Sequence, residues 1–217
     1  MEAEYWIERW REGRTGWHHD DVMPLLQKHW PALGVPRGTK VLVPFCGKSL
    51  DMAWLAGQGC RVLGVEVSPL AVEQFFAENN LQPARRESSE GIRFRAGDIE
   101  IIQGDLFDID AETLSGCGAV YDRAALIAQP PPERERYARE IYAKLPGGCR
   151  GLMITLEYPR AEMDGPPFSV EEAEVRQRLN DWDVTVVERR DILDAQPHFK
   201  EAGLTSLHTA VYRLQHY

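Results

Sequence analysis

Gly47 and Glu66 form a pair of residues that could hold a ligand together. Gly47 lies in a turn (45–48) that directly follows the apolar run 40–44. Because glycine has no Cβ, such a turn lets the backbone approach a ligand closely. Glu66 ends the next apolar run, at about the 20-residue spacing at which a carboxylate meets the ribose of a nucleotide cofactor. The pair predicts a nucleotide-type cofactor site, against the alternatives of a ligand-free tight turn and a solvent-facing carboxylate.

The glycine content of this turn argues against a dinucleotide. A pyrophosphate is accommodated by the spacing G-x-G-x-x-G, whereas residues 45–48 read Phe-Cys-Gly-Lys. An NAD(P)-dependent oxidoreductase would share the strand, turn, helix and ribose carboxylate, and it stays as the alternative interpretation.

Two later loops carry further candidate residues. Asp105 and Leu106 follow the predicted strand 99–103, where their loop could hold an adenine; a turn capped by the aspartate is the alternative. Arg123 follows Asp122 at the end of another buried strand. An arginine that leaves a buried strand needs an anionic partner. That partner would be a cofactor carboxylate, an anionic substrate or, alternatively, an internal carboxylate.

The N-terminal residues carry aromatic and titratable side chains. Trp6 and Trp10 are four residues apart and share one face of a predicted helix. Their faces could cover a ligand and attract a cation such as a sulfonium, although tryptophans at this spacing are more often core residues. His18 and His19 could act as bases near neutral pH, and a structural role is the alternative.

Alternating strands and helices must position these candidates. From residue 40 onward, apolar runs suited to a sheet covered on both faces alternate with helical patterns, which predicts an α/β fold with a doubly wound sheet. The polar stretch 81–90 is interpreted as a loop. A loop alone separates the last two strands, which predicts an antiparallel strand at the end. The predicted strands are 40–44, 61–66, 92–96, 99–103, 119–122, 150–158, 184–190 and 206–214.

The length of 217 residues predicts a single domain. Residues 1–35, with predicted helices at 2–11 and 20–30, are expected to form an N-terminal helical cap. Residues 36–217 are expected to form the Rossmann-like core.

Composition limits the class of partner. A formal net charge of −9 is poorly suited to binding a phosphate backbone, so nucleic acid is not expected as a partner. No stretch is long and apolar enough for a membrane span and no signal peptide is evident, which predicts a cytoplasmic protein. The four cysteines are scattered without ligand spacing. We therefore expect reduced thiols and no metal site.

Five segments resemble, in order, the motifs of the thiopurine S-methyltransferase family, and of its bacterial members in particular. The resemblance implies a class I methyltransferase with a mostly parallel seven-stranded sheet and an antiparallel final strand. It also implies S-adenosylmethionine as methyl donor, S-adenosylhomocysteine as product and a monomeric enzyme. The segments are YWIERWREGRTGWH (5–18), VPFCGKSLDMAWL (43–55), VLGVEVS (62–68), AVYDRAALIA (119–128) and GPPFSV (165–170).

The resemblance also implies roles for individual residues. Arg123 would orient or stabilise an anionic acceptor as well as contact the cofactor. Acceptors of the family are aromatic and heterocyclic thiols such as thiopurines, and bacterial members are associated with selenium and tellurium compounds. A non-enzymatic module that only binds S-adenosylmethionine is a further alternative. Expected cofactor-binding residues are Trp10, Phe45, Glu66 and Arg123, with Trp6, Gly47, Asp105 and Leu106 as weaker candidates; expected acceptor-binding residues are Trp17, His18, Phe168 and His198.

Overall fold

A mixed sheet runs through the centre of the molecule. The computed structural model describes residues 3–217. Its strands are β1 (Lys40–Pro44), β2 (Arg61–Glu66), β3 (Ala84–Ser88), β4 (Gly91–Ala96), β5 (Ile99–Gln103), β6 (Ala119–Arg123), β7 (Arg150–Glu157), β8 (Trp182–Asp191) and β9 (His208–His216). Their order across the sheet is β3-β4-β5-β2-β1-β6-β7-β9-β8.

Eight α-helices connect or precede the strands within residues 3–217. Glu2, with which the first helix was expected to begin, lies outside the described residues. None of the helices formed by residues 3–217 combines the length and apolar composition that a membrane span needs. The helices are α1 (Ala3–Arg11), α2 (Pro24–His29), α3 (Asp51–Gly57), α4 (Pro69–Glu78), α5 (Ala111–Ser115), α6 (Pro131–Glu140), α7 (Glu172–Arg178) and α8 (Pro197–Glu201).

The predicted α/β fold with helices on both faces of the sheet is confirmed. One face carries an apolar core that includes Leu42, Leu63 and Tyr137, and this core extends to α6 and α7. The opposite face carries a second core, which includes Val41 of β1 and Phe75 of α4. This core extends to α2 and α3. Successive strand residues point to opposite faces, so each central strand contributes to both cores.

The expected seven-stranded, mostly parallel sheet is corrected to nine strands with an even balance of pairings. The pairings β1–β2, β1–β6, β2–β5 and β6–β7 are parallel, and the other four are antiparallel. The strand β3 lies within the stretch interpreted as a loop. Its residues are mostly exposed and polar, so the alternation that identifies a half-buried strand is missing. The final strand, β9, is antiparallel to both neighbours.

The sheet opens at the carboxyl ends of β1 and β6. These strands pair in parallel only at Val41 with Ala119 and at Leu42 with Val120. β2 lies on the other side of β1, so the direction of winding reverses here. Ligands of open α/β sheets bind in the crevice at such a switch point.

Gly64, in the middle of β2, allows α3 and the preceding turn to pack closely against the sheet. A Cβ built at this position would lie 2.7 Å from Cys46 Sγ and 2.9 Å from Met52 Sδ. Both side chains are buried, so neither can move freely into solvent. Close packing of the helix on the sheet is therefore provided by a glycine of the strand.

We expect Gly64→Ala to destabilise the protein by about 1–3 kcal/mol, because the added methyl overpacks a tight core. The matched control is Gly57→Ala in α3, where a Cβ would meet nothing within 4 Å. The control should stabilise the protein by about 0.5–1 kcal/mol, since alanine is the better helix former. Urea unfolding midpoints check both values, and a Gly64→Ala protein as stable as the wild type would contradict the packing argument.

Candidate functional site

A pocket lies where the sheet opens, between the carboxyl ends of β1 and β6. Its walls come from the turn after β1, the end of β6 and the N-terminal segment. Most of the predicted cofactor and acceptor residues from these three elements meet here. The lining residues are Trp10, Trp17, His18, Val43, Phe45, Cys46, Gly47, Lys48, Ser49, Asp51, Tyr121, Arg123 and Ala124.

Glu66 holds the turn after β1 through its carboxylate. One carboxylate oxygen accepts a 2.9 Å hydrogen bond from the Gly47 N–H, and the other accepts a 2.8 Å bond from the Ser68 N–H. The side chain is buried. Burial raises the pKa of Glu66, and the backbone donors oppose this shift. The two residues whose spacing predicted a cofactor site are therefore in direct contact.

The turn has a backbone conformation that few residues adopt. Phe45 has φ +47° and Gly47 has φ +53°. A positive φ is strained for a bulky side chain and is found most often where function requires it. Phe45 stacks on Tyr137, with ring centroids 6.0 Å apart. A Cβ on Gly47 would lie 2.9 Å from the Trp10 ring, so the absence of a side chain at Gly47 lets Trp10 pack directly on the turn.

Asp122 faces away from the pocket. Its carboxylate accepts hydrogen bonds from the hydroxyls of Tyr137 and Tyr142, at 2.8 and 2.9 Å, and from the Leu126 N–H at 3.1 Å. Burial raises the pKa of Asp122, and these three donors oppose the shift. The buried network supports Tyr137, on which Phe45 stacks.

Arg123 points into the pocket, one residue further along β6. Its guanidinium donates a 2.9 Å hydrogen bond to the Trp17 carbonyl oxygen. Within residues 3–217 it forms no ion pair with a carboxylate, so the internal salt bridge considered as the alternative is not present there. A cationic group with free donor positions thus faces the cavity.

The N-terminal segment closes the pocket with aromatic rings. Trp17 makes edge-to-face contacts with Trp10 and Trp6, at centroid distances of 5.9 and 5.3 Å. The Arg9 guanidinium lies 5.7 Å from the Trp17 ring centroid. Trp6 supports Trp17 from behind and does not line the pocket. His18 does line it, whereas His19 is exposed and lies outside the lining.

Asp51 and Tyr121 belong to the pocket and were not predicted from the sequence. The Asp51 carboxylate accepts 2.8 Å hydrogen bonds from the Tyr121 hydroxyl and from the Met23 N–H. This carboxylate therefore joins α3, β6 and the N-terminal segment beneath the cavity. A signal was available, since an aspartate at the first residue of a buried helix four residues after Gly47 needs a partner.

Asp105 and Leu106, two of the weaker cofactor candidates, lie in a loop beside the end of β2. The Asp105 carboxylate accepts a 2.9 Å hydrogen bond from the Phe107 N–H and caps the short turn Leu106–Asp108. Leu106 is buried in the core. The adjacent Gly104 N–H donates to the Glu66 carbonyl oxygen at 3.0 Å, so this loop borders Glu66. Its role toward a cofactor stays a prediction.

Phe168 and His198 are not among the residues that line the pocket. The Arg134 guanidinium lies 5.9 Å from the Phe168 ring centroid, and the Phe168 N–H donates to the Ile127 carbonyl oxygen at 2.7 Å. His198 lies on α8, exposed and against Phe199. The acceptor-binding roles predicted for these two residues stay predictions. Among residues 3–217, no three His, Cys, Asp or Glu side chains are grouped so as to hold a metal ion.

Methyltransferases are among the solved structures that share this architecture. A methyltransferase from Anabaena variabilis ATCC 29413 that depends on S-adenosylmethionine matches with a TM-score of 0.63 at 14% identity, over 99% of this chain and 95% of that one. The 1,6-didemethyltoxoflavin N1-methyltransferase of Burkholderia thailandensis matches with a TM-score of 0.62 at 19% identity, over 97% and 86% of the two chains. The fold is therefore that of the methyltransferases that depend on S-adenosylmethionine.

The family follows from the sequence. The family model described as thiopurine S-methyltransferase matches residues 1–217. Thiopurine S-methyltransferases of Xanthomonas campestris pv. campestris (strain 8004) and Nitrosomonas eutropha (strain DSM 101675 / C91 / Nm57) are 58% and 59% identical to the chain over 216 residues. These residues cover 99% of this chain and 98–99% of the relatives. The chain belongs to the thiopurine S-methyltransferase family, which confirms the predicted enzyme class and its cofactor, S-adenosylmethionine.

The buried Asp122 carboxylate gives a testable pH dependence. Its pKa is raised above the ordinary value of 3.8, so between 3.8 and the raised value the native state binds more protons than the unfolded state. The stability of the wild type therefore falls as pH rises through this window. In Asp122→Asn this charge is absent while the amide still pairs with the hydroxyls. We expect the stability of the variant relative to wild type to increase with pH across the window.

Urea unfolding at a series of pH values from about 3.5 to 7 measures this difference. Tyr142→Phe is the companion variant, because it removes one donor from the same carboxylate and should cost about 1–3 kcal/mol at neutral pH. A relative stability of Asp122→Asn that decreases with pH would contradict the assignment of burial as the dominant cause.

Proposed function

We propose that this chain transfers a methyl group from S-adenosylmethionine to the sulfur of aromatic or heterocyclic thiols, thiopurines included. The observation that carries the proposal is the pocket itself. Aromatic side chains wall it, and Arg123 enters it without a carboxylate partner among residues 3–217. A planar, apolar ring with an easily ionised sulfur matches both properties. The names of the bacterial relatives support the same acceptor class.

The residues around the turn fit the cofactor. The Glu66 oxygens accept hydrogen bonds from the Gly47 and Ser68 N–H groups, and a carboxylate oxygen has more than one acceptor position. Those positions would accept hydrogen bonds from ribose hydroxyls. Phe45 and Trp10 would hold the nucleoside and sulfonium region, since an indole face attracts a cation. When bound, S-adenosylmethionine supplies an electrophilic methyl group on a sulfur that is already a good leaving group.

The side chains of the pocket position the acceptor and exclude water. Arg123 would pair with an anionic acceptor or cofactor carboxylate, and its hydrogen bond to Trp17 keeps it directed into the pocket. The aromatic cap formed by Trp10 and Trp17 covers the opening. In-line transfer requires the acceptor sulfur at about 3–3.5 Å from the methyl carbon, so accurate positioning is the main contribution of the protein.

We infer further roles for residues at the border of this pocket. Trp6 would support the cap, Gly47 would admit the cofactor to the turn, and Asp105 with Leu106 would contact the adenine through their loop. Trp17, His18, Phe168 and His198 would contribute to the acceptor side. Residues 1–35 would act as a cap on the core 36–217.

The same site would accept selenium and tellurium compounds, whose nucleophilic atoms resemble thiolate sulfur. The enzyme would act as a monomer on small molecules and not on nucleic acid, given its net charge of −9.

The cofactor is tested by thermal shift with S-adenosylhomocysteine and NAD in separate samples. A ligand that binds only the folded state stabilises it by about 2.7 kcal/mol at 100 times Kd, which corresponds to a rise in Tm of roughly 5–10 °C for a chain of this length. We expect this rise with S-adenosylhomocysteine and none with NAD. The opposite result would favour an oxidoreductase over a methyltransferase.

Turnover of labelled S-adenosylmethionine with 6-mercaptopurine tests the function. We expect Arg123→Ala to lower kcat/KM by about 100-fold or more, as for the loss of one electrostatic donor. Arg123→Lys should recover part of the loss, because it restores the charge without the planar guanidinium. Arg85→Ala on the exposed strand β3 is the control and should leave turnover unchanged.

Two results would overturn these proposals separately. Unchanged turnover in Arg123→Ala would remove Arg123 from the acceptor site. Binding of S-adenosylhomocysteine without methylation of any thiopurine, thiophenol, selenite or tellurite would instead leave a non-enzymatic binding module.

A further inference from the structure

His18 lines the pocket with ring nitrogens that are available for a proton. Its side chain is 15% exposed and lies on the same wall as Trp10, with ring centroids 6.5 Å apart. Among residues 3–217, neither ring nitrogen makes a hydrogen bond. The nearest carboxylate oxygen is Asp20 Oδ1, 3.8 Å from Nε2, which is beyond hydrogen-bond distance. A mostly buried imidazole whose ring nitrogens make no hydrogen bond among residues 3–217 is therefore part of the wall of the proposed acceptor site.

The groups around His18 favour its neutral form. Burial is the largest effect that lowers the pKa of His18 below its ordinary value of 6.5, and the nearby Lys48 and Arg123 lower it further. Asp20 and Glu78 act in the opposite direction. Lys48 forms an ion pair of 2.6 Å with Glu78, so the opposite effects of these two charges on the pKa of His18 partly cancel. At neutral pH the imidazole is uncharged and carries one acceptor nitrogen.

Thiols differ in whether they need such an acceptor. The thiolate is the nucleophile, whereas the protonated thiol is not. A heterocyclic thiol with a low pKa enters the pocket already ionised, and Arg123 can pair with its negative charge. A less acidic thiol enters protonated and must lose its proton in the pocket.

We propose that His18 is the general base for acceptors that reach the pocket as neutral thiols, and that it thereby widens the range of thiols the enzyme methylates. This inference rests on the proposed function. In the step, the S–H bond breaks and the proton moves to a His18 ring nitrogen. The freed sulfur electron pair forms the new S–CH3 bond, while the bond between the methyl group and the sulfonium breaks and its electron pair remains on the departing sulfur.

The surroundings of His18 also favour release of the proton. An imidazolium beside Lys48 and Arg123 is destabilised by two cations. The Asp20 side chain is fully exposed and lies 3.8 Å from Nε2, so the proton has a short route to solvent. The base is thus returned to its neutral form after each turnover.

The test compares acceptors of different acidity. We would measure kcat/KM at pH 7 with 4-nitrothiophenol, which is ionised, and with benzyl mercaptan, which is protonated, for the wild type, His18→Asn and His18→Gln. Loss of a general base typically costs about 100-fold or more. We expect that loss with benzyl mercaptan and less than about a threefold change with 4-nitrothiophenol, because only the neutral thiol needs the base.

His19→Asn is the matched control, since the neighbouring histidine lies outside the pocket lining; it should show no loss that depends on the acceptor. The thermal shift with S-adenosylhomocysteine verifies that each variant is folded and binds cofactor. The pH profile is a second readout. With benzyl mercaptan the wild-type rate should fall at acid pH with a pKa below 6.5, and in His18→Asn the rate should instead follow ionisation of the thiol.

An equal loss with both acceptors would overturn the proposal and assign His18 a structural role. No loss with either acceptor, or a pH profile of His18→Asn with the same acid-limb pKa as the wild type, would overturn it as well. A wild type that methylates no thiol would overturn the proposed function and this inference with it, and that result is distinct from the other two.

Discussion

The buried hydrogen bond from the Gly47 N–H to the Glu66 carboxylate is the interaction on which the rest of the site depends. It is 2.9 Å long and joins the turn after β1 to the end of β2. A buried carboxylate without a cation is costly unless donors compensate it, and here backbone N–H groups, those of Gly47 and Ser68 among them, do so. The turn must therefore keep the conformation that presents its N–H, which requires positive φ at Phe45 and Gly47.

Successive side chains of β6 point to opposite faces of the sheet, so residues that line the pocket alternate with a residue that supports it from the core. Tyr121 and Arg123 point to the pocket, while Asp122 points to the opposite core and supports Phe45 through Tyr137. The N-terminal segment is attached to this frame by backbone groups, the Met23 N–H and the Trp17 carbonyl oxygen. Because these attachments do not use the aromatic rings, the rings remain available to form the pocket wall.

The sequence predicted the elements whose signals are local and missed those that depend on distant contacts. Apolar runs identified the buried central strands, whereas β3 is exposed and polar and carries no such signal. Glu66 and Arg123 were found because each ends a buried strand. Asp51 and Tyr121 were not, since their hydrogen bond joins residues 70 positions apart. The expected seven strands came from the resemblance to class I methyltransferases, whereas the sheet of this chain has nine, with β3 at its edge.

A single glycine in the turn is sufficient because other residues take over the roles that the second and third glycines have in a three-glycine motif. Gly47 provides the turn and leaves room for another group to approach its backbone closely. In this structure the group packed against Gly47 is the Trp10 ring. Close packing of helix and sheet is provided by Gly64 on the strand. S-adenosylmethionine has no pyrophosphate, so no further glycine is needed for phosphate oxygens. The requirements for a tight turn and for close packing of helix and sheet are thus met by residues outside the glycine spacing of one turn. Without a phosphate to accommodate, the turn can carry the bulky Phe45 where a phosphate-binding turn would need a small residue.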